Sequence, residues 1–143
     1  NSHFLNMLSQ PSVNVIIHFK NNIEYLFLAI NSIFNQSYKN YKITIIYDNE
    51  DKTDLKKIKK FLKNKYKKKS KLVKIEVNKS NLGAGNSRNV GIKKCNSKYI
   101  AFLDSDDFWK RNKLQLQIKY MEKNKQVFSH TSYCIIDKRN KII

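Results

Sequence analysis

Tyr99-Ile-Ala-Phe-Leu-Asp-Ser-Asp-Asp107 runs an apolar pentad straight into three carboxylates. Tyr99 to Leu103 is too short for a helix and too hydrophobic for a surface loop, so it reads as a buried strand. Carboxylates crowded at the mouth of such a strand repel one another unless a cation or a donor-rich ligand neutralises them. The chain as a whole has formal net charge +18. A concentration of negative charge on so basic a background marks the place to look for chemistry.

Three further apolar, β-branched runs precede this one: Val13 to Phe19, Tyr41 to Tyr47 and Leu72 to Val77. Each predicts a strand. Between them lie segments of helical period. Asn21 or Asn22 is placed to cap a helix with Ile23, Leu26, Phe27, Ile30, Ile33 and Phe34 on one face, and Thr53 or Asp54 a second, lysine-rich helix. A third helix is expected from about Asn86 to Lys94, with Arg88 on its first turn. A fourth is marked by Leu114, Ile118 and Met121, with Asp107 as its cap. Val127 to Ile136 reads as a fifth strand. Strands alternating with helices predict an α/β fold with a mainly parallel sheet and right-handed crossovers. Ligands of such sheets bind beyond the carboxyl ends of the strands. His18–Asn21, Asp48–Asp51, Asn81–Asn89 and Asp104–Asp107 would gather at that one edge.

The 143 residues suit a single domain, expected over 12–143, with 1–11 an N-terminal extension. No apolar run approaches the ~18–20 residues of a membrane span. Cys95 and Cys134 have no metal-ligand spacing and read as buried or half-buried free thiols, which suits a reducing cytoplasm. Of 29 basic residues only Arg88, Arg111 and Arg139 are arginines. The lysines are densest from Lys56 to Lys71, where Leu55, Ile58, Leu62 and Tyr66 recur at near-helical spacing. The plainer reading is a solvated helix face; attraction to an anionic membrane or to nucleic acid stays open beside it.

All three glycines fall in Asn81-Leu-Gly-Ala-Gly85-Asn-Ser-Arg88-Asn-Val-Gly91. Gly83 and Gly85 permit tight or positive-φ backbone, so N–H groups at a helix start can approach a ligand. The stretch is neither a Walker loop nor a G-x-G-x-x-G fingerprint. Asp104-Ser105-Asp106 is an Asp-x-Asp. Its hard oxygen donors suit Mg²⁺ or Mn²⁺, which leave positions open for diphosphate oxygens.

Taken in order, these segments resemble the nucleotide-sugar-binding part of a family-2 glycosyltransferase of the GT-A fold. The likeness runs from the Val13–Ile17 strand and Asn21 through Ser32-Ile-Phe-Asn-Gln36-Ser-Tyr-Lys-Asn-Tyr-Lys-Ile and the Asp48 loop. It continues with Asn81-x-Gly83, Ser87-Arg-Asn-Val-Gly91, the Tyr99–Trp109 segment, Lys113-Leu-Gln-x-Gln117 and Phe128-Ser-His-Thr-Ser-Tyr133. The resemblance implies a three-layer α/β/α, Rossmann-like fold and a metal-dependent, inverting transfer from a nucleoside diphosphate-sugar to an acceptor hydroxyl. It is nearest to bacterial enzymes of cell-surface polysaccharide and lipopolysaccharide synthesis. The implied donor is foremost a UDP-sugar, and the acceptor a glycan or lipid-linked sugar. Peripheral contact with the inner face of the cell membrane fits this role, and no specific nucleic acid is expected. Donor contacts implied by position are Phe19, Asn21, Asp48, Asn81, Gly83, Arg88, Asp104 and Ser105. Asp106, helped by Asp104, is the implied ligand of Mg²⁺ or Mn²⁺. The family's Pro-Thr-Tyr-Asn is here His18-Phe-Lys-Asn21, with His18 a strand-end residue rather than a base. Its Asp-Asp-Gly-Ser is here Tyr47-Asp48-Asn49-Glu50. The general base is expected downstream of Ile143. A basic nucleic-acid module and an inactive membrane-associated scaffold are the rival readings.

Overall fold

The computed structural model describes residues 10–139 and 141–143, so the expected N-terminal extension lies almost wholly outside the described residues. Four strands, β1 (Val13–Phe19), β2 (Tyr41–Tyr47), β3 (Val73–Val77) and β4 (Tyr99–Phe102), form one sheet in the order β3-β2-β1-β4. Every pairing is parallel, and the register sets Val13 beside both Tyr41 and Tyr99. Four helices connect or follow them: α1 (Ile23–Phe34), α2 (Thr53–Tyr66), α3 (Gly83–Lys93) and α4 (Lys113–Asn124). A 3-10 turn, Lys67–Leu72, carries α2 into β3.

Strand periodicity of two divides the sheet into two faces. Val13, Val15, Ile17 and Phe19 share a face with Tyr41, Ile43, Ile45 and Tyr47. That face packs on Leu26 and Ile30 of α1, Ile58 and Leu62 of α2, and Leu114 and Ile118 of α4. The other face carries Ile16 and Ile46, both shut away from solvent, and is covered by α3. Helix and sheet approach closely there because position 91 is glycine. A Cβ at Gly91 would stand 2.9 Å from Ile16 Cγ2. The three layers are therefore three helices, the sheet and one helix, the α/β/α arrangement expected.

Several local expectations are corrected. Asn22 holds the cap position of α1 at φ 64°, but its side chain makes no capping bond, and Lys52 rather than Thr53 or Asp54 precedes α2. There Asp51 instead accepts the Thr53 N–H at 2.8 Å. α3 begins at Gly83, three residues before the expected Asn86, which moves Arg88 into the second turn. Asp107 caps nothing, since α4 does not start until Lys113. No fifth strand forms among the described residues. Val127, Phe128 and Tyr133 stay 96%, 75% and 87% exposed, with a single Ile136–Ile142 bridge. Strand propensity alone does not make a strand, and this segment pairs with neither edge of the sheet. Cys134 is exposed rather than buried; Cys95 is half-buried as expected.

Candidate functional site

Asp48 follows β2 directly and is fully buried. Its Oδ1 accepts Asn78 Nδ2 and the Leu82 N–H, each at 2.7 Å. Its Oδ2 accepts the Gly83 N–H at 2.9 Å and His18 Nε2 at 3.0 Å. Burial works to raise its pKa, but the donors Asn78, Leu82, His18 and Gly83 together win and hold it down at about 2. Asp48 thus acts as the N-terminal cap of α3 from a different strand, and the cap explains why that helix starts early. Asn78 completes the knot by donating to Ser87 Oγ at 3.0 Å inside the helix. Gly83 takes φ +79° here, the left-handed region in which glycine carries no steric penalty. The sequence offered the N–H groups at the Gly83–Gly85 helix start to a ligand; the folded chain gives those of Leu82 and Gly83 to Asp48.

Across the same edge, Arg88 Nη2 donates to Asp104 Oδ1 at 2.6 Å, with both side chains partly exposed. Asp104, Asp106 and Asp107 present oxygens that all lie within 4.8 Å of one another. A turn closed by the Asp107 N–H on the Asp104 carbonyl, 3.1 Å, brings the third acid round to the first two. Burial, then the charges of Asp106 and Asp104, push the Asp107 carboxyl upward. Carboxylates crowded at this spacing repel one another and are relieved by a small hard cation, so the residues present fit Mg²⁺ or Mn²⁺. Asp107 accordingly joins the acidic cluster instead of the helix cap expected of it.

The loop bearing these acids is braced from α1, a feature the sequence did not signal. Gln36 is fully buried; its Nε2 donates to the Lys110 carbonyl at 2.8 Å and its Oε1 accepts the Leu114 N–H at 3.0 Å. Ser32 Oγ accepts the Trp109 N–H at 3.1 Å. Ser37 bonds Arg111 through its backbone N–H at 2.8 Å. The Ser32–Ser37 segment therefore fixes both ends of the stretch from Trp109 to Leu114. Lys113 stacks 3.8 Å from the Trp109 ring centroid, and burial draws its pKa down to about 8.

The remaining expected residues reach the same edge in different states. Asn21, Asn81 and Asp106 are exposed, and Ser105 is half-buried. Phe19 is fully buried against Tyr47, ring centroids 5.5 Å apart, so only its backbone reaches the edge, where its carbonyl accepts the Asp48 N–H. Asn49 donates to the Lys20 carbonyl at 2.8 Å and ties the first two loops together.

This fold and edge have relatives. The sequence model described as Glycosyl transferase family 2 matches residues 14–143. An uncharacterized glycosyltransferase of Rickettsia bellii is 42% identical over 137 residues, which are 96% of this chain and 19% of that protein. The Escherichia coli UDP-Glc:alpha-D-GlcNAc-diphosphoundecaprenol beta-1,3-glucosyltransferase WfgD is 31% identical over 92% of this chain and 49% of its own length. The chain thus spans about a fifth to a half of these relatives. Among solved structures, Staphylococcus aureus TarS 1-349 in complex with UDP-GlcNAc superposes with TM-score 0.66 at 22% identity, over 78% of this chain and 31% of that one. Pyrobaculum calidifontis mannosyltransferase PcManGT with GDP-Man and Mn²⁺ gives 0.69 at 15% identity, over 80% and 33%. Both likenesses are of fold, a GT-A fold. The match over nearly the whole chain places it in glycosyl transferase family 2.

Proposed function

We propose that the chain is the donor-binding part of a metal-dependent, inverting glycosyltransferase of bacterial cell-envelope glycan synthesis. The observation that carries this reading is the triad Asp104, Asp106 and Asp107 at the carboxyl edge of a parallel sheet, opposite Arg88. Two relatives support the substrate class. WfgD is named for a UDP-glucose donor and a lipid-linked acceptor, and the Bacillus subtilis relative TuaG, 30% identical, as a putative teichuronic acid glycosyltransferase.

In the transfer, the bond between the sugar's anomeric carbon and the donor diphosphate breaks. A bond to the acceptor oxygen forms on the opposite face of the sugar, and the acceptor proton passes to a base. Asp106 and Asp104 would hold Mg²⁺ or Mn²⁺, which supplies Lewis-acid neutralisation of the departing diphosphate. Arg88 is the cation placed for a phosphate or a nucleobase carbonyl, released from Asp104 as the donor arrives. Asn21, Asn81 and Ser105 offer polar contacts around the nucleotide, and Phe19 and Gly83 shape the edge through backbone. Asp48 orders the turn that carries Leu82 and Gly83 and keeps α3 aimed at the donor. The protein works at the cytoplasmic side, where nucleotide-sugars and lipid-linked acceptors meet. Calorimetry with UDP-, GDP-, CDP- and dTDP-sugars, each with and without Mn²⁺, tests it: one nucleotide class binds, and only with metal. Binding to none, or equal binding without metal, removes the reading.

A further inference from the structure

Ten of the chain's 26 lysines lie in the sixteen residues Lys56–Lys71, while the other sixteen spread over 127 residues. A uniform compositional bias toward lysine does not produce that clustering. No acid occurs from Leu55 to Ile75, and all ten lysines are exposed. Among the described residues only Lys57 of the ten is ion-paired, with Asp54. The face is not purely polar. Lys59, Lys63, Lys67 and Lys68 rim an open hollow floored by Leu62 and Val73. A second hollow, between α1 and α2, has Phe27 and Phe61 in its wall and Lys57, Lys60 and Lys65 at its rim. Positive charge continues around the corner: Lys39 is drawn downward in pKa by burial, then by Lys69 and Arg111.

We propose that this face of α2 and the 3-10 turn docks on an anionic lipid bilayer. Charge complementarity carries the proposal, since unpaired lysines in a cluster add their attraction to acidic headgroups. Long methylene stems over apolar hollows suit an interface in which the ammonium groups reach outward and the stems lie on apolar surface. A nucleic acid is less well served. The cluster contains no arginine fork, and the Phe27 and Phe61 rings stack on each other at 3.8 Å instead of offering faces to bases. No helix among the described residues is long and apolar enough to cross a membrane. Orientation also fits. α2 leaves the donor edge and runs back along the sheet, so a bilayer on its outer face leaves that edge open. The inference deepens the transferase reading by assigning the surface that would bring it to a lipid-linked acceptor.

Vesicle co-sedimentation of the full chain tests it, using phosphatidylcholine alone and phosphatidylcholine with about one-third phosphatidylglycerol. The anionic vesicles should bind, the neutral ones should not, and salt should weaken binding. Lys63→Glu with Lys68→Glu should lower the vesicle affinity about tenfold or more, and Lys119→Glu with Lys123→Glu on α4 only about twofold. Equal losses in the two pairs, equal binding to neutral vesicles, or no binding at all would overturn the proposal. So would duplex DNA that out-competes the vesicles at the same salt and is released by the same α2 substitutions. Circular dichroism confirms folding of each variant. Donor calorimetry on the α2 pair separates the two ideas: unchanged donor binding beside lost vesicle binding leaves both standing. Donor binding without any vesicle binding sinks only the docking surface.

Discussion

Asp48 and Arg88 hold the two charges that matter most for the site, and each makes its own prediction. Four donors surround the Asp48 carboxylate, so its folded-state pKa of about 2 lies below the ordinary 3.8. A depressed acid stabilises the fold above its unfolded pKa and loses that contribution as pH falls through the folded one. The stabilisation, roughly 2 kcal/mol, is therefore complete above about pH 4 and gone near pH 2. Asp48→Asn should cost about 2–3 kcal/mol at neutral pH and flatten the acid limb of a urea-unfolding profile measured against pH. An unchanged limb would mean that the Asp48 bonds do not persist in solution. Arg88 occupies one oxygen of Asp104 at 2.6 Å. Its removal leaves the three acids less neutralised. Arg88→Ala should thus tighten Mn²⁺ binding in the absence of nucleotide, by about threefold or more, while weakening donor binding. Electron paramagnetic resonance of free Mn²⁺ reads the first effect, and a loss of both would sink the assignment of Arg88 as a counter-charge.

The strands were legible because each is a short apolar run, and the two central ones, Val13–Phe19 and Tyr41–Tyr47, were read to the residue. The edge strands β3 and β4 are only half-buried, so the buried strand expected at Tyr99–Leu103 is corrected to an edge strand. The start of α3 was not, because its cap is the carboxylate of Asp48, 34 residues before Leu82 in the chain. Local capping rules have no access to such a partner. The Val127–Ile136 segment misled for the opposite reason: its residues favour a strand, but pairing is a tertiary event. The acidic cluster was visible in the sequence, yet what holds it was hidden. Gln36 and Leu114 meet across 78 residues, a contact that no periodicity foretells. Gln36→Ala leaves the buried Leu114 N–H and the Lys110 carbonyl without these partners. It should destabilise the chain by about 1–3 kcal/mol and also weaken Mn²⁺ binding, as the Trp109–Leu114 stretch loosens. Destabilisation with wild-type Mn²⁺ affinity would confine Gln36 to a packing role.

Charge is distributed over the whole molecule with a clear polarity. A chain of net charge +18 gathers three of its 11 acids in one tight cluster and ten lysines along one flank. On the proposed reading the first arrangement draws a cation and, with it, a diphosphate, and the second an anionic surface. Both follow from the parallel α/β topology, which sends every βα loop to one edge and turns the outer face of each connecting helix to solvent. The proposed function turns on the acidic edge binding a nucleoside diphosphate-sugar through a divalent metal. Its most direct measurement is calorimetric titration of a UDP-sugar into the wild-type chain and Asp106→Asn, each with Mn²⁺ and with chelator. Wild type should bind with Mn²⁺, and binding should be lost in the other three samples, with the melting temperature of the variant unchanged. Equal binding with and without metal, or equal binding by Asp106→Asn, would contradict it.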